Sequence, residues 1–162
     1  MTPQQAETTY SGGTTPPEES FLLLTKIKPG QADALRDAIV AAAGKLADRN
    51  GALAQVGTVH SARFAIIGED TFLFASHFDG SWESYLDDFY TFSQEAEGFD
   101  LIWRYCEDWP GPHDREGFLN FWKSHRVMDV LTYSHFPGVT CKQIEKALHV
   151  RDDVEAVLEN FQ

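Results

Sequence analysis

Two histidines, an arginine and an aspartate interrupt an otherwise apolar part of the chain. His60 and Arg63 lie in Gly57-Thr58-Val59-His60-Ser61-Ala62-Arg63-Phe64-Ala65-Ile66-Ile67. His77 and Asp79 close Thr71-Phe72-Leu73-Phe74-Ala75-Ser76-His77-Phe78-Asp79-Gly80. Polar groups in such surroundings are costly unless they are exposed, paired or used. An imidazole moves protons near neutral pH, and a carboxylate orients it. A guanidinium holds an anionic or enolate oxygen. His60, Arg63, His77 and Asp79 are therefore the candidate catalytic set, for proton transfer or oxygenation of a small carbonyl-bearing or aromatic molecule. The plainer alternatives are an Arg63–Asp79 ion pair, a core imidazole at His60 and an interface role for His77.

Both stretches read as strands, joined by the turn Gly68-Glu69-Asp70. With Ile67 opposite Thr71, Phe64 faces Phe74, Ala62 faces Ser76 and His60 faces Phe78. This register puts His60 on a ring-rich face with Phe64, Ile66 and Phe72. Arg63, His77 and Asp79 share the other face with Ser61, Ala65 and Ala75, small residues that leave room for a ligand. A slip of one residue would exchange the faces. Aromatic residues make up 13 % of the chain. Phe64, Phe74, Trp82, Tyr85 and Tyr133 are the rings expected to contact a ligand, although such rings fill cores equally well.

The remaining polar residues have ordinary readings. His113 sits in a Pro-flanked loop, and His125 closes a helix where a cation suits the dipole. His135 alternates with Tyr133 on an expected strand and would face the same cavity. Asp87 and Asp88 belong to a solvated helix face. No HxH, HExxH or facial-triad spacing stands out, so no metal site is expected. No GxGxxG, P-loop or GxSxG motif occurs either. Cys106 and Cys141 form no CxxC pair and read as reduced thiols of a cytoplasmic protein.

The elements that must position these residues follow from periodicity. Residues 1–20 are polar and read as a disordered tail, leaving 21–162 as one domain. Phe21 to Ile27 is a first strand. Gln31 to about Asn50 has an apolar helical stripe of Ala34, Leu35, Ala38, Ile39, Ala42 and Leu46. Leu53 to Val56 is a linker into the hairpin. Ser81 caps a helix carrying Trp82, Tyr85, Leu86, Phe89 and Phe92. Helical segments follow at Phe99 to Cys106 and Asp114 to His125. Asp129 to Phe136 is the last strand, and Val139 to Phe161 is helical with Thr140 as its cap. Without the extra helices the order is βαββαβ, an α+β ferredoxin-like antiparallel sheet. Helices cover one face of such a sheet, and a second copy of the chain is the simplest cover for the other.

The 162 residues carry a net charge of −12, with 43 % apolar content. Without a basic cluster there is no footprint for nucleic acid or an anionic membrane. No segment is apolar enough to span a bilayer, and no signal peptide is expected from the polar first residues.

The βαββαβ order from Phe21 to Phe161 resembles the dimeric α+β barrel superfamily. That group includes cofactor-free monooxygenases, muconolactone isomerase-like and EthD-like proteins, chlorite dismutases and dye-decolourising peroxidases. The resemblance implies a homodimer with a small-molecule pocket, and either no cofactor or haem. A narrower match joins Val56 to Phe64, Phe78-Asp79-Gly80-Ser81-Trp82, Tyr85-Leu86 and Asp88-Phe89. It is similar to a bacterial group with a G-T-x-H-x-A-R-F strand and no established activity. The haem branches place their proximal histidine on a helix, whereas His60 lies on a strand; the helical histidines are His125 and His149. The functions left open are a small-molecule enzyme, a haem-binding peroxidase-like protein and a non-catalytic ligand-binding or dimerisation domain.

Overall fold

Alternation of buried and accessible side chains along three long strands sets the architecture. The computed structural model describes residues 18–47, 52–95 and 100–159. Strand β1 (Glu18–Lys26) buries Phe21, Leu23 and Thr25. Strand β3 (Thr71–Asp79) buries Phe72, Phe74, Ser76 and Phe78. These residues lie side by side across the β1–β3 register, Phe21 opposite Ser76 and Leu23 opposite Phe74. Strand β2 (Val59–Ile67) flanks β3, and the two-residue β4 (Arg126–Val127) flanks β1. The order β2-β3-β1-β4, antiparallel throughout, is the ferredoxin-like arrangement expected from the sequence.

The buried face of the sheet is closed by aromatic packing. Helix α3 (Trp82–Glu95) contributes Trp82, Tyr85 and Phe89, α4 (Asp100–Trp103) Trp103, and α5 (Arg115–His125) Phe118, Phe121 and Trp122. Phe74 is central, with ring centres 5.4 Å from Phe21, 5.5 Å from Trp103 and 5.8 Å from Trp122. Edge-on pairs of this kind add to the area they bury. Helix α1 (Ala32–Ala47) adds Leu35 and Ala42. The caps form as their sequences suggest. Ser81 Oγ accepts from the Ser84 N–H at 3.3 Å and Asp114 from the Gly117 N–H at 2.9 Å. The opposite face carries half-buried Leu22, Leu24, Leu73 and Ala75 and exposed Arg63, Ala65 and Ile67.

Four boundaries differ from the sequence reading. Strand β1 begins at Glu18, inside the expected tail, whose residues 1–17 lie outside the described residues. Residues Ala52–Val56 form a short helix, α2, instead of a linker. Helix α4 is shorter than Phe99 to Cys106, and Phe99 lies outside the described residues. The expected strand Asp129 to Phe136 is irregular. After two rungs, Leu22–Val127 and Leu23–Arg126, the chain leaves the sheet. Side-chain bonds from Ser20 to Asp129 and Thr132, at 2.6 and 2.7 Å, then tether it to the start of β1. The period-2 pattern had no core to face: Val130, Leu131, Tyr133 and Phe136 are exposed. Helix α6 (Cys141–Glu159) runs unbroken through Arg151-Asp152-Asp153 and buries no residue. Among the described residues, no helix is long and apolar enough to cross a membrane.

Candidate functional site

The central register is the one the sequence predicts: Ile67 pairs with Thr71, Phe64 with Phe74, Arg63 with Ala75 and Ala62 with Ser76. It fails at one point. Ser61 pairs with His77 and Val59 with Phe78, so His60 is an extra residue in a β-bulge. A bulge re-aims the side chain it carries. The expected partnership of His60 with Phe78 is therefore overturned, and His60 joins the polar residues it was expected to be apart from. Its Nε2 lies 2.7 Å from Asp79 Oδ1, and its ring centre is 5.4 Å from that of His77. An ionised carboxylate only accepts, so this contact puts a proton on Nε2. Both side chains are largely withdrawn from water, with 14 % of His60 and 10 % of Asp79 exposed.

The second oxygen of Asp79 is also engaged. Its Oδ2 accepts from the backbone N–H of Cys141, the first residue of α6, at 2.8 Å. Asp79 is thus paired with His60 and Cys141, and the alternative of an Arg63–Asp79 ion pair gives way to these bonds. Arg63 is exposed on the sheet face that also carries His77. Burial pushes the Cys141 thiol up to about 12, reinforced by the charge of Asp79 and a hydrogen bond to it. A thiol held protonated is a poor nucleophile at neutral pH. Cys141 carried no sequence signal, because its link to Asp79 is made across the fold by the placement of α6.

A cleft of about 530 Å³ opens beside this cluster, between α2 and α6. Leu53, Val59, Ile144 and Leu148 give it apolar walls, while His60 and Cys141 are among its polar lining. The wall from α2 was not legible in the sequence, which read that segment as a linker. The rings expected at a ligand lie elsewhere. Phe74, Trp82 and Tyr85 are buried in the helix-side core, and Phe64 packs on Phe74 at 4.9 Å. Tyr85 donates to Ser76 Oγ at 2.8 Å, and burial raises its phenol strongly. Trp82 lies under the Arg126 guanidinium, 4.3 Å from its ring centre. Tyr133 is exposed, its hydroxyl 3.1 Å from His135 Nδ1 in the irregular segment.

The other polar residues keep their ordinary roles. His125 Nδ1 lies 2.8 Å from the Phe121 carbonyl at the end of α5. His113 is exposed and bonded to Gln94. Asp87 pairs with Arg115 at 2.6 Å. Partial burial, reinforced by the neighbouring charge of Asp87, raises Asp88.

No family model and no curated protein matches the chain. Among solved structures it is similar to tetracenomycin F2 cyclase from Streptomyces glaucescens, a type-II polyketide cyclase. The identity is 11 % and the TM-score 0.46, over 73 % of this chain and 99 % of that one. The fold assignment rests on the strand order and register described above.

Proposed function

We propose that the chain is a small-molecule enzyme of the dimeric α+β barrel type, in which His60, oriented by Asp79, transfers a proton to or from a ligand in the adjoining cleft. The observation that carries this reading is the 2.7 Å contact between His60 and Asp79 at the edge of that cleft. Asp79 fixes the ring and stabilises the imidazolium that forms on protonation. A carbon acid next to a carbonyl suits the arrangement. The imidazole takes the proton, the C–H electron pair moves into the enolate, and the proton returns to the same or a neighbouring atom. Arg63 is not among the residues lining that cleft; it is a cation on the sheet face of His77, available to an anionic oxygen of a ligand that extends there.

A second copy of the chain, covering the face of Leu22, Leu24, Leu73 and Ala75, would complete the barrel and place the site in a homodimer.

The test is deuterium incorporation from D₂O into a panel of aryl ketones and β-dicarbonyl compounds. General acid–base groups contribute about 10²–10⁴-fold, so His60→Gln is expected to slow incorporation by about 100-fold or more, and Asp79→Asn to slow it by less. Binding of the panel without incorporation would instead identify a non-catalytic ligand-binding domain.

A further inference from the structure

His60 from the β2 bulge, Asp79 from the end of β3 and Cys141 from the start of α6 bring one nitrogen, one oxygen and one sulfur together. Their ligand atoms all lie within 4.8 Å of one another. We propose that His60, Asp79 and Cys141 form a binding site for a divalent cation of the zinc class, with a fourth position open to the cleft between α2 and α6.

The donor set selects the ion. Imidazole and thiolate favour zinc-like cations, while Mg²⁺ and Ca²⁺ take oxygen ligands. Zinc bonds of about 2.0–2.3 Å in tetrahedral geometry separate ligand atoms by about 3.3–3.7 Å. The His60–Asp79 contact of 2.7 Å therefore has to open by about 0.6–1.0 Å to admit the ion. Side-chain rotation provides that much movement. The Cys141 N–H bond to Asp79 Oδ2 ties the carboxylate to α6, the kind of outer support that orients metal ligands. Charge also balances once the cation displaces the Cys141 thiol proton to solvent: a dication, a carboxylate, a thiolate and a neutral imidazole sum to zero. Three protein ligands beside a cleft match open, reactive metal sites and not closed structural ones.

The inference shares two residues with the proton-transfer reading but stands apart from it. An imidazole that gives its lone pair to a cation no longer accepts a proton, so loading and proton transfer by His60 exclude each other. The two are measured separately, zinc binding without substrate and deuterium incorporation in the presence of chelator, so either can fail alone.

The experiment titrates the full chain with Zn²⁺ against a competing chelator, and with Co²⁺ followed by absorbance. The expected result is one equivalent of tight zinc and a thiolate-to-cobalt charge-transfer band. Cys141→Ser should abolish the band, and Cys141→Ser, His60→Ala and Asp79→Asn should each weaken zinc about 100-fold or more, beyond the 10–100-fold typical of outer-shell changes. Cys106→Ser should leave both readouts unchanged, and circular dichroism checks that each variant is folded. Weak binding of several equivalents, unchanged in folded Cys141→Ser, would overturn the proposal and report only the acidic surface. Absence of zinc binding by the wild type would overturn it as well.

Discussion

The chemistry of this chain depends on where single side chains point. His60 was expected opposite Phe78, and the β-bulge between Val59 and Ser61 moves it onto Asp79. Strict alternation predicts faces well where the ladder is regular, as the Phe64–Phe74 and Arg63–Ala75 pairs show. It has no means of announcing a bulge. Cys141 was beyond reach for another reason, since its 2.8 Å bond to Asp79 spans 62 residues of sequence. Two outcomes are expected at this scale. Tyr85→Phe leaves the buried Ser76 hydroxyl without its donor and should cost about 1–2 kcal/mol in urea denaturation. Glu19 is raised above its ordinary value, mainly by burial, with Glu83 adding and Arg126 opposing. Folding therefore favours its protonated form. That contribution is full below about pH 4.5 and is lost as pH rises through the folded-state value. Glu19→Gln should accordingly raise the melting temperature at pH 7, with the difference vanishing as pH falls towards 4.5.

A buried apolar stripe made most elements legible, while α6, which buries no residue, was legible from its helical spacing and its Thr140 cap. The residues at 21–27, 71–79 and 82–89 repeat at strand or helix spacing because each set meets the same aromatic core. The 129–136 segment alternates as convincingly but meets nothing, so its pattern misleads. Phe74 touches rings from β1, β2, α3, α4 and α5. Phe74→Ala should cost about 3–5 kcal/mol, read as a shift of the urea midpoint. Helix α6 is the opposite case, held at its start by its cap and by the Cys141 N–H bond to Asp79 Oδ2. Thr140 Oγ1 accepts from the Gln143 N–H at 3.3 Å, and Gln143 Oε1 accepts from the Thr140 N–H at 2.9 Å. Losing this reciprocal box through Thr140→Ala costs about 1 kcal/mol locally. Amide exchange should quicken over 141–145, while global unfolding stays nearly constant, because α6 buries no residue.

The whole molecule presents a sheet with one face closed by helices and the other carrying Leu22, Leu24, Leu73 and Ala75 in partial contact with water. A homodimer across that face has twice the mass of the 18.2 kDa chain. Each copy brings a net charge of −12, so self-repulsion opposes assembly and salt screens it. Light scattering should show a dimer fraction that rises with ionic strength, and a monomer at every salt concentration would refute that arrangement. The measurement closest to the central claim concerns His60 itself. In chelator-treated protein, deuterium incorporation into the most responsive ketone of the panel is compared between the wild type and His60→Gln. The expected result is a loss of about 100-fold or more with the fold intact; equal rates in the two proteins would contradict a proton-transferring His60.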